Sequence, residues 1–105
     1  MVSTNSRMAT IEAMLADNPG DPELRYFLAM EHLISGDEKA AAQRLCELTQ
    51  DSEYVPAFLQ AGQLLNKLGQ VGEACAVLRR GIEAAAKQRN DHALSEMQGL
   101  LASIE

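Results

Sequence analysis

Tryptophan is absent from this 105-residue sequence, and aromatic residues make up only 4% of it. Sheets draw on aromatic and β-branched side chains, so their scarcity beside abundant alanine and leucine favours helix over strand. Basic residues are also short: nine Lys and Arg against fifteen Asp and Glu leave a net charge of −6. Nucleic acid calls for a basic face to neutralise its phosphates, so it is not an expected partner. No apolar run approaches the ~20 residues that span a bilayer, and a membrane is not expected either. The first ten residues hold no apolar stretch behind their single arginine, so no signal peptide is read there, and a cytoplasmic location is expected. Cys46 and Cys75 fall on different predicted helices without a Cys-x-x-Cys pair; free, buried or half-buried thiols are expected.

Reactive constellations are missing too. The sequence holds no Ser/His/Asp set, glycine-rich phosphate loop, His-Glu-x-x-His or metal-spaced cluster. His32 is expected to pack or hydrogen-bond inside the fold, and His92, beside Asp91, to cap the last helix, in preference to roles as base or ligand. No enzyme activity, cofactor or metal site is expected.

What remains is a run of helix-length patterns separated by turn residues, in a chain long enough for one domain that buries about 60–70% of its unfolded surface. Residues 1–5 are expected outside the first helix, 6–17, whose apolar stripe is Met8, Ile11, Met14 and Leu15 and whose cap comes from Ser3, Thr4 or Asn5. Asn18-Pro19-Gly20 stops it. Asp21-Pro22 reads as an N-cap followed by proline at the first helical position, opening a helix over 22–35 that is apolar around most of its circumference. Gly36 then supplies a left-handed residue and Asp37 the next N-cap, for a helix over 37–50. The fourth helix is expected over 56–68, with a loose start because Val55 caps poorly. The fifth spans 70–89, its Arg79, Arg80, Lys87 and Arg89 read as complementing the helix dipole and as solvated surface. The sixth spans 92–104, with Leu94, Met97, Leu101 and Ile104 on one stripe.

The fourth and fifth helices each carry an interior glycine, Gly62 and Gly81, each costing about 1 kcal/mol relative to alanine. Close approach of antiparallel helices is the expected compensation. Gly36 and Gly69 lie 33 residues apart, and the same shift carries Leu28 to Ala61, Ala29 to Gly62, Ala41 to Ala74 and Leu45 to Leu78. This spacing, with Phe58, Ala61, Gly62 and Leu65 followed by Ala74, Leu78 and Gly81, resembles the tetratricopeptide repeat. Ankyrin repeats share the length, but their Thr-Pro-Leu-His signature is missing. Units are expected at 22–54 and 55–88, with capping helices at 6–19 and 91–105. The first unit departs from the pattern at Arg25, His32 and Leu48, where the second has Phe58, Leu65 and Gly81.

The resemblance implies an all-α fold: a short right-handed α-solenoid of about six helices in antiparallel pairs, of the small bacterial type. It also implies a non-enzymatic module that binds a peptide or protein segment in a concave groove lined by the first helix of each unit. Carried onto this sequence, the groove positions are Glu23, Tyr26, Met30, Leu33 and Ile34, then Pro56, Leu59, Gln63, Asn66 and Lys67. The first set is largely apolar and the second polar, which suits an amphipathic helix or an extended peptide with one apolar anchor. Tyr26 and Met30 stand where the family's chaperone-tail clamp begins with lysine and asparagine, so that ligand is not expected. Two alternatives stand beside the groove: burial of Tyr26, Met30 and Leu33 against the first helix, or a homodimer through the same stripe.

Overall fold

The computed structural model describes residues 4–105, and side chains from Ser6 onward. Six helices follow one another: α1 (Thr4–Asp17), α2 (Pro22–Ile34), α3 (Glu38–Asp51), α4 (Val55–Lys67), α5 (Val71–Lys87) and α6 (Asp91–Ile104). No strand occurs among the described residues. Thr4 and Asn5 are helical, so α1 starts earlier than expected, and the caps sought from Ser3, Thr4 or Asn5 lie outside the described side chains.

Most helix ends follow the signals in the sequence. The Asp21 carboxylate accepts from the backbone N–H groups of Glu23 (2.9 Å) and Leu24 (3.1 Å). Asp37 does the same for Ala40 (3.1 Å). Gly36 and Gly69 adopt φ of 92° and 85°, a region open to glycine without steric cost. The following N–H then turns back to the helix: Asp37 donates to His32 O (2.9 Å) and Gln70 to Leu65 O (2.8 Å).

Three further ends differ from expectation. α5 stops at Lys87, and Arg89 takes a left-handed φ of 58°. There Asn90 N–H closes on Ala85 O (2.9 Å), the geometry found at both glycine turns, without a glycine to announce it. Asn90, not His92, caps α6, its side chain accepting from Ala93 N–H (3.1 Å). His92 instead faces Glu96 one turn on, at 3.3 Å. The start of α4 is not loose: Val55 is buried, and Gln88 Nε2 donates to Glu53 O (2.7 Å) just before it.

Each helix packs on the next, and α4 also on α6, giving an elongated body of 41 × 28 × 20 Å. Leu45, Leu48, Leu78 and Met97 are its largest fully buried side chains. Gly62 and Gly81 sit at the crossings. A Cβ on Gly62 would lie 2.5 Å from Leu78 Cδ2, and one on Gly81 would lie 2.5 Å from Phe58 Cβ and 2.6 Å from Met97 Sδ.

Lys87 stands exposed in the last turn of α5, and the basic residues of this helix also reach across the fold. Arg80 donates to Thr49 O (3.1 Å) with its guanidinium 5.7 Å from the centre of the Phe58 ring. Lys87 pairs with Glu53 (3.0 Å) and Arg79 with Glu105. Exposed pairs of this kind contribute about 0–1 kcal/mol each, less than the burial they accompany.

Candidate functional site

α2 and α4 stand one sequence period apart, and the residues expected along their shared groove fall into two places. At one end lies a pocket of about 340 Å³ lined by Leu33, Glu38, Gln60, Gln63, Leu64 and Lys67. Leu64 is buried and Leu33 packs against the core, so both are held rigidly and give an apolar floor. Gln60 and Gln63 set two amides beside it, each able to donate and accept. Lys67 reaches back to Glu38 in the first turn of α3, closing the rim with an ion pair. No α1 residue lines this pocket.

At the other end the Tyr26 ring lies 5.4 Å from that of Tyr54 and 6.2 Å from that of Phe27, both tilted. Burial, and then the neighbouring Tyr54, push the Tyr26 phenol above its ordinary range. Burial, followed by the carboxylates of Glu23 and Asp21, does the same to Tyr54. Both hydroxyls therefore stay protonated donors at neutral pH.

Of the ten expected groove positions, the structure brings Leu33, Gln63 and Lys67 together in the pocket and sets Tyr26 beside the Glu23 end. Leu59, like Tyr26, is half-buried against the core; Met30 and Asn66 are half-buried, and Glu23 is exposed. Ile34 and Pro56 are exposed. Sequence reasoning missed Glu38, Gln60, Leu64 and Tyr54. Gln60 and Leu64, four residues apart, share one edge of α4 and were open to a period count, whereas Glu38 enters only through folding, 29 residues from Lys67.

The histidines and cysteines form no comparable constellation. His32 packs in a cleft with Ala40, Gln43, Arg44 and Glu47, its Nε2 buried without a hydrogen-bond partner. Cys46 is half-buried and Cys75 buried, both as free thiols. No group of three or more His, Cys, Asp or Glu is placed to hold a metal among the described residues. No described helix is long and apolar enough to cross a membrane.

A family model of the tetratricopeptide repeat matches residues 2–55. The crystal structure of a tetratricopeptide repeat domain protein from Salinibacter ruber is 30% identical, covering 80% of this chain and 94% of its own, with a TM-score of 0.75. A solution NMR structure of a tetratricopeptide repeat domain protein from the same organism is 32% identical, covering 83% of this chain and 89% of its own, with a TM-score of 0.77. The chain belongs to the tetratricopeptide repeat family. Comparison with curated proteins gave no match. The matched segment runs from α1 to the start of α4, so recognition extends over the half of this repeat protein whose own sequence departs most from the pattern. The fold is accordingly a repeat solenoid, and the family's general role is that of a non-enzymatic scaffold for protein–protein contact.

Proposed function

We propose that this repeat protein binds a peptide or protein segment along the α2–α4 face, in two units at 22–54 and 55–88 flanked by α1 and α6. The observation that supports the reading is the pocket itself: a fixed Leu33–Leu64 floor with the amides of Gln60 and Gln63 at its side. One apolar side chain of the ligand fills the floor while its backbone pairs with the amides, and Met30 adapts its shape to the adjoining stretch. Tyr26 and Glu23 meet the ligand's far end.

Selection of binders from a displayed peptide library, followed by titration against variants, tests this. Met30→Glu and Gln63→Ala are each expected to weaken a selected peptide about tenfold or more, roughly 1.4 kcal/mol, with helicity retained. Peptides that bind both variants as tightly as the parent would overturn the groove reading.

A further inference from the structure

Three of the chain's four aromatic side chains, Tyr26, Phe27 and Tyr54, gather where α2 and α4 begin. The rings of Tyr26 and Tyr54 lie 5.4 Å apart at a tilt of 57°, neither tyrosine is fully buried, and the adjoining Phe27 is 43% accessible. The face of an aromatic ring is its negative side and attracts a cation. Among the described residues one cation stands over a ring, Arg80 over Phe58 at 5.7 Å; Tyr26, Phe27 and Tyr54 have none. Two carboxylates flank this cluster. After burial, Glu23 and Asp21 push the Tyr54 phenol up, which places both beside that ring. Asp21 is committed to the first N–H groups of α2, whereas Glu23 is exposed and forms no ion pair among the described residues. Arg25, the basic residue nearest in sequence, is turned to Asp51 (2.9 Å). The starts of α2 and α4 offset about half a charge each, so about one negative charge is left over at this end. The pocket end differs, because Lys67 and Glu38 neutralise one another there.

We propose that this aromatic end holds a basic side chain, arginine foremost, of the peptide bound along the α2–α4 face. The inference rests on the groove reading and adds the ligand's charge and spacing to it. A guanidinium can lie flat on an aromatic face and present its N–H edge to the Glu23 carboxylate, a combination that a lysine ammonium meets less well. An acidic side chain would face the leftover negative charge and the negative ring faces together. The spacing follows from α2. Tyr26 and Leu33 are seven residues apart, about 10 Å of helix at 1.5 Å per residue. An extended ligand covers that in about three residues at roughly 3.3 Å each. The basic residue therefore stands three places from the apolar residue that fills the Leu33–Leu64 floor.

NMR titration with synthetic peptides tests it. The probes are serine peptides that carry one leucine and, three places before or after it, arginine, lysine, citrulline or glutamate. Citrulline keeps the shape of arginine and removes its charge. In one of the two orientations the arginine peptide is expected to bind about tenfold more tightly than its citrulline counterpart, with glutamate weakest. It should move the Tyr26 and Tyr54 ring signals together with the Leu33 and Leu64 methyls. Glu23→Gln is expected to remove most of the preference for arginine. Peptides that move both leucine methyls but bind equally with arginine, citrulline and glutamate overturn this inference and leave the groove standing. An arginine preference with static tyrosine rings, or one undiminished in Glu23→Gln, overturns it as well. Peptides that move neither leucine methyl overturn the groove reading, and this inference with it.

Discussion

Replacing Gly81 by alanine sets helix propensity against packing. In an isolated helix the change gains about 1 kcal/mol. Here the new methyl would lie 2.5 Å from Phe58 Cβ and 2.6 Å from Met97 Sδ. Carbon atoms rest at about 3.5–4.0 Å, so α5 must retreat by roughly 1 Å from two helices at once. Neither neighbour can yield: Phe58 Cβ is fixed to the α4 backbone, and Phe58 and Met97 are only 3% and 0% accessible. Overpacking costs about 1–3 kcal/mol and sometimes more, so the propensity gain is outweighed and a net loss of about 1–2 kcal/mol is expected. The internal control is Gly99 on α6, whose added methyl would meet nothing within 4 Å. There the same substitution should stabilise by about 0.5–1 kcal/mol. Urea unfolding followed by circular dichroism reads both. With a slope of about 1–3 kcal/mol per molar, the combined difference of about 1.5–3 kcal/mol should separate the midpoints of the two variants by about 0.5–3 M, on opposite sides of the parent. A Gly81→Ala midpoint at or above the parent's would refute the close-approach argument.

Other outcomes follow from individual groups. Asp21→Ala removes the acceptor for two helix N–H groups and should cost about 1 kcal/mol in the same unfolding assay; an unchanged midpoint would mean the cap contributes nothing. The chain's two tyrosines, Tyr26 and Tyr54, should ionise above their ordinary value of 10.0, visible in an ultraviolet titration of the folded protein. Because the folded values are raised, the stability they carry is complete below that range and is lost as pH rises through the folded values; titration at 10 or lower would contradict the burial assigned to the rings. Burial first, and Glu73 second, push the Cys46 thiol up, so a disulfide reagent at mildly alkaline pH should attack it more slowly than the same thiol in urea. Equal rates would remove that assignment.

Helices and their ends were legible in the sequence wherever a side chain or a glycine marks them. Asp21-Pro22 and Gly36-Asp37 each name a turn and a cap, and the chain folds as they direct. Arg89 was opaque because the left-handed turn there is imposed by the closure from Asn90 to Ala85, not by a local preference. The start of α4 was opaque for a related reason: no cap holds it, and its order comes from Val55 in the core and from α5 holding Glu53. Of the candidate groove, Leu33, Gln63 and Lys67 were expected through the resemblance to the repeat family, and they line one pocket. Glu38 and Tyr54 were not, because they come from the start of α3 and the start of α4, whose approach depends on how the helices cross. The roles of Arg79, Arg80 and Lys87 were likewise invisible: their partners lie 26, 31 and 34 residues away.

The helix-by-helix order of contacts has a consequence for how the molecule opens. Because each helix leans chiefly on its sequence neighbours, closing these contacts requires only short loops, and the fold should form quickly for its size. It need not come apart all at once. α5 is held between α4 and α6 and carries seven buried positions, whereas α1 rests mainly on α2 and has none among its described side chains. Amide exchange should therefore run as a gradient, with α4 and α5 protected up to global unfolding and α1 released first by local opening.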